Sequence, residues 1–187
     1  MNKEIPDFIL SKRVLLRPIA ITDVEDIFSY RSLTEVAKYQ YWEPFTKEQT
    51  LDFVNRNSNP DFGKRGEWIG LAIISKNTGK LIGDCALKIE DNRAEIGCNI
   101  SPKYQNCGFA KEILRLLIDY SFKITGVNEV YGITDSENTA SVRLMESMGM
   151  NRTPVFEERI ICKGILSVEH KYSIQRYEKG VKETGLR

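Results

Sequence analysis

The junction at residues 101–110 constrains the fold of this chain more than any other part of its sequence. Before it, residues 94–100 alternate strictly between the two sides of the backbone, which predicts a half-buried β-strand. After it, apolar residues recur at helical spacing through residues 109–124, with charged residues on the opposite side, and Gly126 ends the helix. Because residues 127–134 are strand-like again, the sequence predicts a strand-helix-strand crossover.

The remaining segments add hairpins and helices to this crossover. Apolar runs at residues 68–74 and 81–89 flank the compact turn Asn77-Thr78-Gly79, which predicts a β-hairpin. The other predicted elements are a strand at 14–18, helices beginning near residues 22, 46 and 138, and late strands near 155–161 and 165–174. No repeat or linker divides the chain, so we predict a mixed α/β fold in a single domain over residues 1–187, with a polar tail from about residue 178.

Composition excludes several classes of partner. The chain has 27 Lys and Arg residues against 26 Asp and Glu residues, a net charge of +1, so no overall field attracts it to nucleic acid or to an anionic membrane. Its opening residues lack the hydrophobic centre of a secretory signal, and no apolar run reaches the roughly 18 residues of a membrane span. The four cysteines form no Cys-x-x-Cys pair, so we expect neither a metal site nor disulfides. These features predict a cytoplasmic protein.

The junction at residues 101–110 has the features of an anion-binding loop. Backbone amides at the start of a helix lack intrahelical partners and lie at the positive end of the helix dipole, so they can bind a diphosphate without charged side chains. Gly108 and Ala110 keep such a surface free of large side chains. The alternative is that these two residues only ease packing where the helix begins. The pattern is neither that of a P-loop nor that of a dinucleotide-binding fingerprint.

Residues 105–110, Gln-Asn-Cys-Gly-Phe-Ala, resemble the coenzyme A loop of the GCN5-related N-acetyltransferase family. In that loop, Gln or Arg is followed by two residues, a Gly, one further residue and a Gly or Ala. The segments at 138–141, Asn-Thr-Ala-Ser, and at 148–150, Met-Gly-Met, resemble the family's second coenzyme A motif. Residues 13–18 and the Glu-Ile-Gly at 95–97 resemble the branch of ribosomal-protein-alanine N-acetyltransferases, which acetylate protein N-termini.

The resemblance implies an acetyl-CoA-binding fold with a central mixed, mainly antiparallel sheet of about seven strands flanked by about four helices. It also implies a wedge between the fourth and fifth strands, where strand amides hold the pantetheine arm of coenzyme A. Gly97 would mark a bulge or a close backbone approach in this wedge. Asn138 is also a candidate N-cap of the helix that follows it. The implied cofactor-binding residues are Asn99, Ile100, Gln105, Asn106, Cys107, Gly108, Phe109, Ala110, Asn138 and Ser141.

Acetyl transfer to an amine needs a group that removes a proton, because free amines have pKa values near 8 at an α-amino group and about 10.4 at lysine. Glu95 is the candidate base, acting directly or through a water, since alternation places it opposite the buried Ile96; an ordinary surface glutamate is the alternative. Ser141 is the candidate acid for the departing thiolate. Many family members have a tyrosine a few residues after Asn138, where this chain has Arg, Leu and Met, so the identity of the acid stays open. His170, the only histidine, is expected to have a structural or surface role.

Aromatic residues near the first helices predict a wall for the acceptor amine. Trp42 and Trp68 are candidate wall residues and Glu43 is a candidate for attracting a cationic amine, although core packing and an exposed acid are the ordinary explanations. The resemblance implies acetyl-CoA and a primary amine as partners, and the first candidate is the α-amino group of a protein N-terminus. The alternatives are a polyamine or aminoglycoside acceptor and a non-catalytic acyl-CoA-binding module. The chain is expected to be a monomer or a homodimer.

Overall fold

The computed structural model describes residues 9–176, which form one eight-stranded sheet with helices packed on both of its faces. The strands are β1 (Ile9–Leu10), β2 (Val14–Pro18), β3 (Trp68–Ser75), β4 (Leu81–Glu90), β5 (Arg93–Ile100), β6 (Glu129–Asp135), β7 (Asn151–Cys162) and β8 (Ile165–Gln175). The α-helices are α1 (Val24–Arg31), α2 (Thr34–Ala37), α3 (Lys47–Asn57), α4 (Phe109–Tyr120) and α5 (Thr139–Ser147). The polar tail predicted from about residue 178 lies outside the described residues.

The strand order is β1-β2-β3-β4-β5-β6-β8-β7, and each neighbouring pair is antiparallel except β5 with β6. These two strands are parallel because the chain leaves the end of β5, passes through α4 and returns to begin β6 beside the beginning of β5. The mixed, mainly antiparallel sheet and the strand-helix-strand crossover are therefore confirmed. So are the predicted hairpin, now β3 and β4, and the helix near residue 46, where Thr46 accepts a hydrogen bond from the Gln49 amide.

Three details differ from the sequence prediction. The sheet has one strand more than predicted, because Ile9–Leu10 pairs with Leu15 and Leu16 at the sheet edge. The helix predicted from residue 22 is divided, because Leu33 has an extended backbone and starts the separate helix α2, so there is also one more helix. The last hairpin is longer than predicted, since β7 begins at Asn151 rather than near residue 155.

Each face of the sheet covers an apolar core. On one face α4 buries Ile113 and Leu117 completely, and on the other α1 and α3 bury Ile27 and Val54 completely. Burying a side chain of this size contributes about 1.5–3 kcal/mol relative to leaving it exposed. The central strands are therefore held from both sides, which gives rigid support to any site built on them.

β5 and β6 separate after three residue pairs, in which Arg93–Glu95 lies beside Glu129–Tyr131. Beyond this point β5 stays paired with β4 up to Ile100, and β6 stays paired with β8. The sheet therefore has a V-shaped gap between β5 and β6 at the place where the family resemblance implies a wedge. Of the two roles predicted for Gly97, a bulge is not found, because Gly97 pairs with Ala86 in a β4–β5 register that shows no shift, and the close backbone approach stays a prediction.

Candidate active site

A cavity of about 680 Å³, which we call the central cavity, opens along the gap between β5 and β6 and reaches both faces of the sheet. One side is lined by cross-strand neighbours of β4 and β5 that share a face, including Asp84, Lys88 and Glu95. The other side is lined by Leu114 of α4 and Met145 of α5, which belong to the core on the opposite face. The cavity is thus lined by residues from both faces of the sheet.

Two glycines keep the walls of the gap free of side chains, and both line the central cavity. Gly97 of β5 has no atom within 4 Å of the position that a Cβ would occupy. A Cβ on Gly132 of β6 would lie 2.9 Å from Met145 Sδ and 3.3 Å from the Ile96 carbonyl oxygen, which is closer than ordinary packing allows. The strand backbone is therefore accessible to an extended ligand that hydrogen-bonds to it.

The loop before α4 presents backbone amides to solvent. Residues 105–108 are exposed, and Asn106 and Gly108 have left-handed backbones with φ of 58° and 78°. Gly108 is the N-cap of α4, so the first amides of the helix have no intrahelical acceptor. In the described part of the chain, no backbone carbonyl accepts a hydrogen bond from the amides of Cys107 or Gly108. This arrangement fits a diphosphate, the group for which the sequence predicts the loop.

Arg13 fixes this loop to α4, a role that the sequence reasoning missed although Arg13 begins a motif it singled out. Its Nη1 donates to the Cys107 carbonyl oxygen at 3.0 Å, and its Nε donates to Glu112 Oε2 at 2.6 Å. Its guanidinium carbon also lies 4.6 Å from the centre of the Phe109 ring. Burial opposes the ionisation of Glu112, but hydrogen bonds from Ser11 and Arg13 hold the pKa of Glu112 below its ordinary value. The loop is therefore tied to a charged pair at the first turn of α4.

Two predicted cofactor-binding residues, Gln105 and Asn99, use their side chains in hydrogen bonds to other parts of the protein. Gln105 Nε2 donates to the Ile100 carbonyl oxygen at 3.0 Å, which closes the loop onto the end of β5. Asn99 Nδ2 donates to Asp84 Oδ1 at 3.3 Å. Phe109 and Ala110, the first residues of α4, are half-buried. A ligand at residues 99–110 would therefore contact mainly backbone groups, because these side chains are already engaged within the protein.

Asn138 and Ser141 lie together at the start of α5, and both line the central cavity. Asn138 is the N-cap of α5, because its side-chain oxygen accepts a hydrogen bond from the Ser141 amide at 3.3 Å. Leu144 and Met145, which occupy positions where many family members have a tyrosine, line the cavity with apolar atoms. Ser141 is thus the hydroxyl that α5 contributes to this wall of the cavity.

Glu95 lies where β5 and β6 begin to separate, and it lines the central cavity. Its Oε2 is 3.2 Å from Lys88 Nζ and accepts a hydrogen bond from the Tyr131 hydroxyl at 3.2 Å. Burial, with a further contribution from the Glu95 charge, raises the pKa of Tyr131 to about 12, so this phenol is a proton donor to Glu95 at neutral pH. Lys88 is shared, because Glu90 lies 3.1 Å from the same ammonium group.

Of the three predicted acceptor-binding residues, two line the central cavity and one does not. Trp42 and Trp68 are part of its wall, and Lys88 Nζ lies 5.2 Å from the centre of the Trp68 ring. Glu43 lies outside the cavity, where its exposed carboxylate is 3.9 Å from Lys163 Nζ. Glu43 therefore lies apart from Trp42 and Trp68, because the chain turns the Trp42 ring inward and the neighbouring carboxylate outward.

A buried ion pair supports the aromatic wall, and no local sequence pattern indicates it. Arg31 donates to Asp84 through Nε at 2.9 Å and Nη2 at 2.6 Å, and the Tyr30 hydroxyl donates to the same carboxylate at 2.6 Å. The guanidinium carbon lies 4.7 Å from the Trp42 ring centre and 4.0 Å from that of Phe53. Trp42 is thus packed on a cation that α1 and β4 hold in place.

Two further residues of the late strands have clear positions relative to the cavity. Glu169 of β8 is buried and lines the central cavity, although the sequence reasoning did not select it. His170 does not line the cavity; its Nε2 lies 2.8 Å from Arg152 Nη2. The alternation of β8 is the signal that separates the two residues, because it directs neighbouring side chains to opposite faces.

Two kinds of feature are not found within residues 9–176. No group of three or more His, Cys, Asp or Glu side chains there is placed to hold a metal ion. No helix in the same range is both long and apolar enough to cross a membrane.

Comparison with known proteins identifies consistent relatives. The model of the family described as "Acetyltransferase (GNAT) domain" matches residues 13–151. An uncharacterised N-acetyltransferase of Bacillus licheniformis is 30% identical over 172 residues, which is 90% of this chain and 96% of the relative. The crystal structure of a GNAT-family acetyltransferase from Bacillus anthracis superposes with a TM-score of 0.80 at 30% identity, covering 90% of this chain and 98% of that one.

Two structures from Vibrio cholerae share the fold at lower identity. A putative ribosomal-protein-serine acetyltransferase has a TM-score of 0.74 at 23% identity, with 94% of this chain and 100% of that chain covered. A spermidine N-acetyltransferase in complex with CoA and spermine has a TM-score of 0.74 at 21% identity, with 88% of this chain and 96% of that chain covered. At these identities the two structures show the fold and leave the acceptor open.

Proposed function

Since the chain belongs to the GNAT acetyltransferase family and is an acetyl-CoA-dependent N-acetyltransferase, we propose that its acceptor is the α-amino group at the N-terminus of a protein or peptide. The observation that carries this proposal is the charge balance of the central cavity. Asp84 is paired with Arg31 and Glu95 with Lys88, and the third acid of the wall, Glu169, is matched in number by a third cation, Arg56. A polyamine carries several ammonium groups, and the cavity does not have an excess of free carboxylates to balance them. An acceptor with one ammonium group fits this balance.

The residues present fit coenzyme A along the gap between β5 and β6. We propose that the amides of the loop at 106–110 hold the diphosphate, and that the bare backbone near Asn99 and Ile100 holds the pantetheine arm. Asn138, at the start of α5 on the other side of the gap, is placed to contact the same arm. When bound, acetyl-CoA supplies an acetyl group that is activated as a thioester.

Glu95 is the proposed proton acceptor. An acceptor amine arrives mainly as a cation at neutral pH, and its nitrogen can attack only after a proton has left. Glu95 receives that proton directly or through a water, because its carboxylate lines the cavity where β5 and β6 separate. The nitrogen lone pair then forms the new C–N bond, the C–S bond breaks, and the nitrogen loses its second proton to solvent, from which Ser141 regains the proton that it gives to the sulfur. Ser141, on the α5 side of the cavity, is the proposed donor of the proton that the sulfur takes up.

The sequence motifs that resemble the ribosomal-protein branch favour a protein N-terminus over other amine acceptors. Residues 13–18 and 95–97 carry that resemblance, and the first residue of each lies at the site: Arg13 contacts the loop proposed for the phosphates and Glu95 lines the cavity. The aromatic wall of Trp42 and Trp68 is open enough for a small N-terminal side chain to pack against it, since the Trp68 side chain is about half exposed.

The test compares acceptors directly. The protein is incubated with acetyl-CoA labelled with ¹³C in the acetyl group, together with peptides that begin with Ala or Ser, spermidine and kanamycin, and products are identified by mass spectrometry. We expect the label on the peptide α-amino group, and we expect none when the peptide is already N-acetylated. A labelled spermidine or kanamycin beside unlabelled peptides would contradict the peptide proposal. Coenzyme A release without any labelled acceptor would contradict amine transfer altogether.

A further inference from the structure

Three carboxylates are buried in the described part of the chain, those of Asp23, Asp84 and Glu169, and they differ in one respect. Asp23 pairs with Arg17 at 2.7 Å and Asp84 pairs with Arg31 at 2.6 Å. Within residues 9–176, no Lys, Arg or His forms an ion pair with Glu169, although only 7% of this residue is exposed. An unpaired buried carboxylate is costly, so its position needs an explanation.

The neighbours of Glu169 make the shortage of positive charge worse. Its cross-strand partners are Asp135 on β6 and Glu158 on β7, and the charge of Glu95 on β5 also acts on it. The Tyr41 hydroxyl is the neighbouring group that favours the charged form of Glu169. Burial is the largest influence and raises the pKa of Glu169; the Tyr41 hydroxyl opposes it, and the three acids raise the pKa further.

The nearby cations are engaged elsewhere. Lys171, two positions along β8, is 2.8 Å from Glu129, and Lys163 donates to the Ala37 carbonyl oxygen at 2.6 Å. Lys88, on the same wall of the central cavity as Glu95, is shared by that residue and Glu90. Lys38 Nζ lies 4.7 Å from the centre of the Tyr39 ring. Within residues 9–176, none of these cations forms an ion pair with Glu169.

Glu169 can be reached by a ligand from two directions. It lines the central cavity and also a second cavity of about 440 Å³ between the loop after α2 and the β7–β8 turn. Tyr39 and Tyr41 line both cavities as well, so these three residues form the boundary between them. A ligand in either cavity can thus place a charged group against the Glu169 carboxylate.

We propose that Glu169, with the Tyr41 hydroxyl beside it, binds the acceptor amine as a cation before the amine loses its proton. An ammonium group supplies the positive charge that the carboxylate lacks, and a charge-assisted hydrogen bond in a buried site is stronger than one between neutral groups. Glu169 then acts as a specificity-determining residue that selects amines, while Glu95 keeps its proposed role as proton acceptor. The inference rests on an amine acceptor, as the proposed function does, but not on that amine belonging to a peptide.

The proposal predicts how binding depends on pH. Because the pKa of Glu169 lies above its ordinary value, the carboxylate becomes neutral at a higher pH than a free glutamate does as the solution is acidified. The attraction for an ammonium group is complete above this pKa and is lost as the pH falls through it. The KM for the amine therefore rises on acidification, while the KM for acetyl-CoA does not follow.

The experiment measures steady-state kinetics of Glu169→Gln with two probes, the amide of the tetrapeptide Ala-Ala-Ala-Ala and spermidine. Loss of a hydrogen bond to a charged group corresponds to roughly 1.5–3 kcal/mol, so we expect the KM for whichever probe is acetylated to rise about 10- to 100-fold. We expect kcat at saturating amine and the KM for acetyl-CoA to change less than about threefold. Glu158→Gln is the matched control, because it removes a neighbouring acid on β7 that lines neither cavity.

A second variant separates binding from a structural role. In Tyr41→Phe the loss of the hydroxyl raises the pKa of Glu169, so the acid-side increase in amine KM moves to higher pH. A purely structural contact would not shift this profile. An unchanged amine KM in Glu169→Gln, or equal losses for amine and acetyl-CoA, would overturn the inference and leave the proposed function intact. If spermidine is acetylated, the peptide is not, and the KM for spermidine depends on Glu169, the peptide proposal is contradicted and the Glu169 inference is supported. A wild-type protein that acetylates neither probe would contradict both.

Discussion

Glu95 and Glu90 allow the proposed base to be tested at the scale of a single residue, since both contact the ammonium group of Lys88 and only Glu95 lines the central cavity. We expect Glu95→Gln to lower kcat/KM by about 10²-fold or more, because an amide cannot accept the proton. The part of the pH profile of kcat/KM that Glu95 causes should also be lost in this variant. Glu90→Gln is the control and should leave both quantities nearly unchanged. A Glu95→Gln protein with the wild-type pH profile would remove Glu95 from the mechanism.

Asp84 gives a second residue-scale prediction, on stability rather than catalysis. Asp84→Asn leaves the buried Arg31 guanidinium without its counter-ion, so we expect a loss of about 3–5 kcal/mol in the free energy of unfolding, measured by urea denaturation. The exposed pair of Lys47 and Glu25, 3.4 Å apart, is the comparison, and Glu25→Gln should have no measurable effect. Equal stabilities of the two variants would show that the Arg31–Asp84 pair does not support the cavity wall.

These residue-scale features also mark the limit of what the sequence could predict. Glu95, Trp42 and Trp68 were selected because strand alternation and aromatic clustering are local signals, and all three line the central cavity. The pairing of Arg31 with Asp84 joins residues 53 positions apart, and no local pattern indicates it. Glu169 lies in an ordinary alternating strand, and its lack of a cation becomes visible only when its neighbours from three other strands are known.

At the scale of elements, the start of α4 carries the most direct prediction. Gly108→Trp places a large side chain over the amides that we propose for the diphosphate, so we expect affinity for coenzyme A in calorimetry to be lost. Gly126→Trp is a matched control, because Gly126 follows the π-helical turn Ser121–Thr125 that continues α4 at the end away from Gly108. Both glycines have positive φ, 78° and 76°, so each substitution costs a similar backbone strain of roughly 1–2 kcal/mol. Equal affinities in the two variants would contradict the phosphate-loop assignment.

Element prediction succeeded where the pattern was long and local and failed where the chain changed direction. The twelve residues of α4 keep one apolar side throughout, and the hairpin of β3 and β4 has a clear turn, so both were predicted. The break between α1 and α2 depends on the extended backbone of Leu33, for which the apolar spacing gave no warning. The gap between β5 and β6 was predicted only from the family resemblance. The sequence does not indicate that β5 and β6 stop pairing after three residues.

At the scale of the whole molecule, we propose that one sheet with a core on each face unfolds as a single unit. The parallel pair of β5 and β6 joins the N-terminal and C-terminal parts of the sheet, and α4 packs against β5 beside it. We expect one cooperative thermal transition, with coincident signals from tryptophan fluorescence and far-UV circular dichroism. Acetyl-CoA at 100 times its dissociation constant should stabilise the protein by about 2.7 kcal/mol. Two separated transitions would contradict the single-domain prediction.

The claim on which the rest depends is that donor and acceptor meet in the gap between β5 and β6. The most direct measurement is a crystal structure with a conjugate that links coenzyme A through an acetyl bridge to the amine of Ala-Ala-Ala-Ala amide. The account predicts phosphate oxygens within hydrogen-bonding distance of the amides at residues 107–110 and the bridge in the gap beside Gly97. A conjugate bound with its bridge outside the gap, or on the surface away from α4, would contradict it.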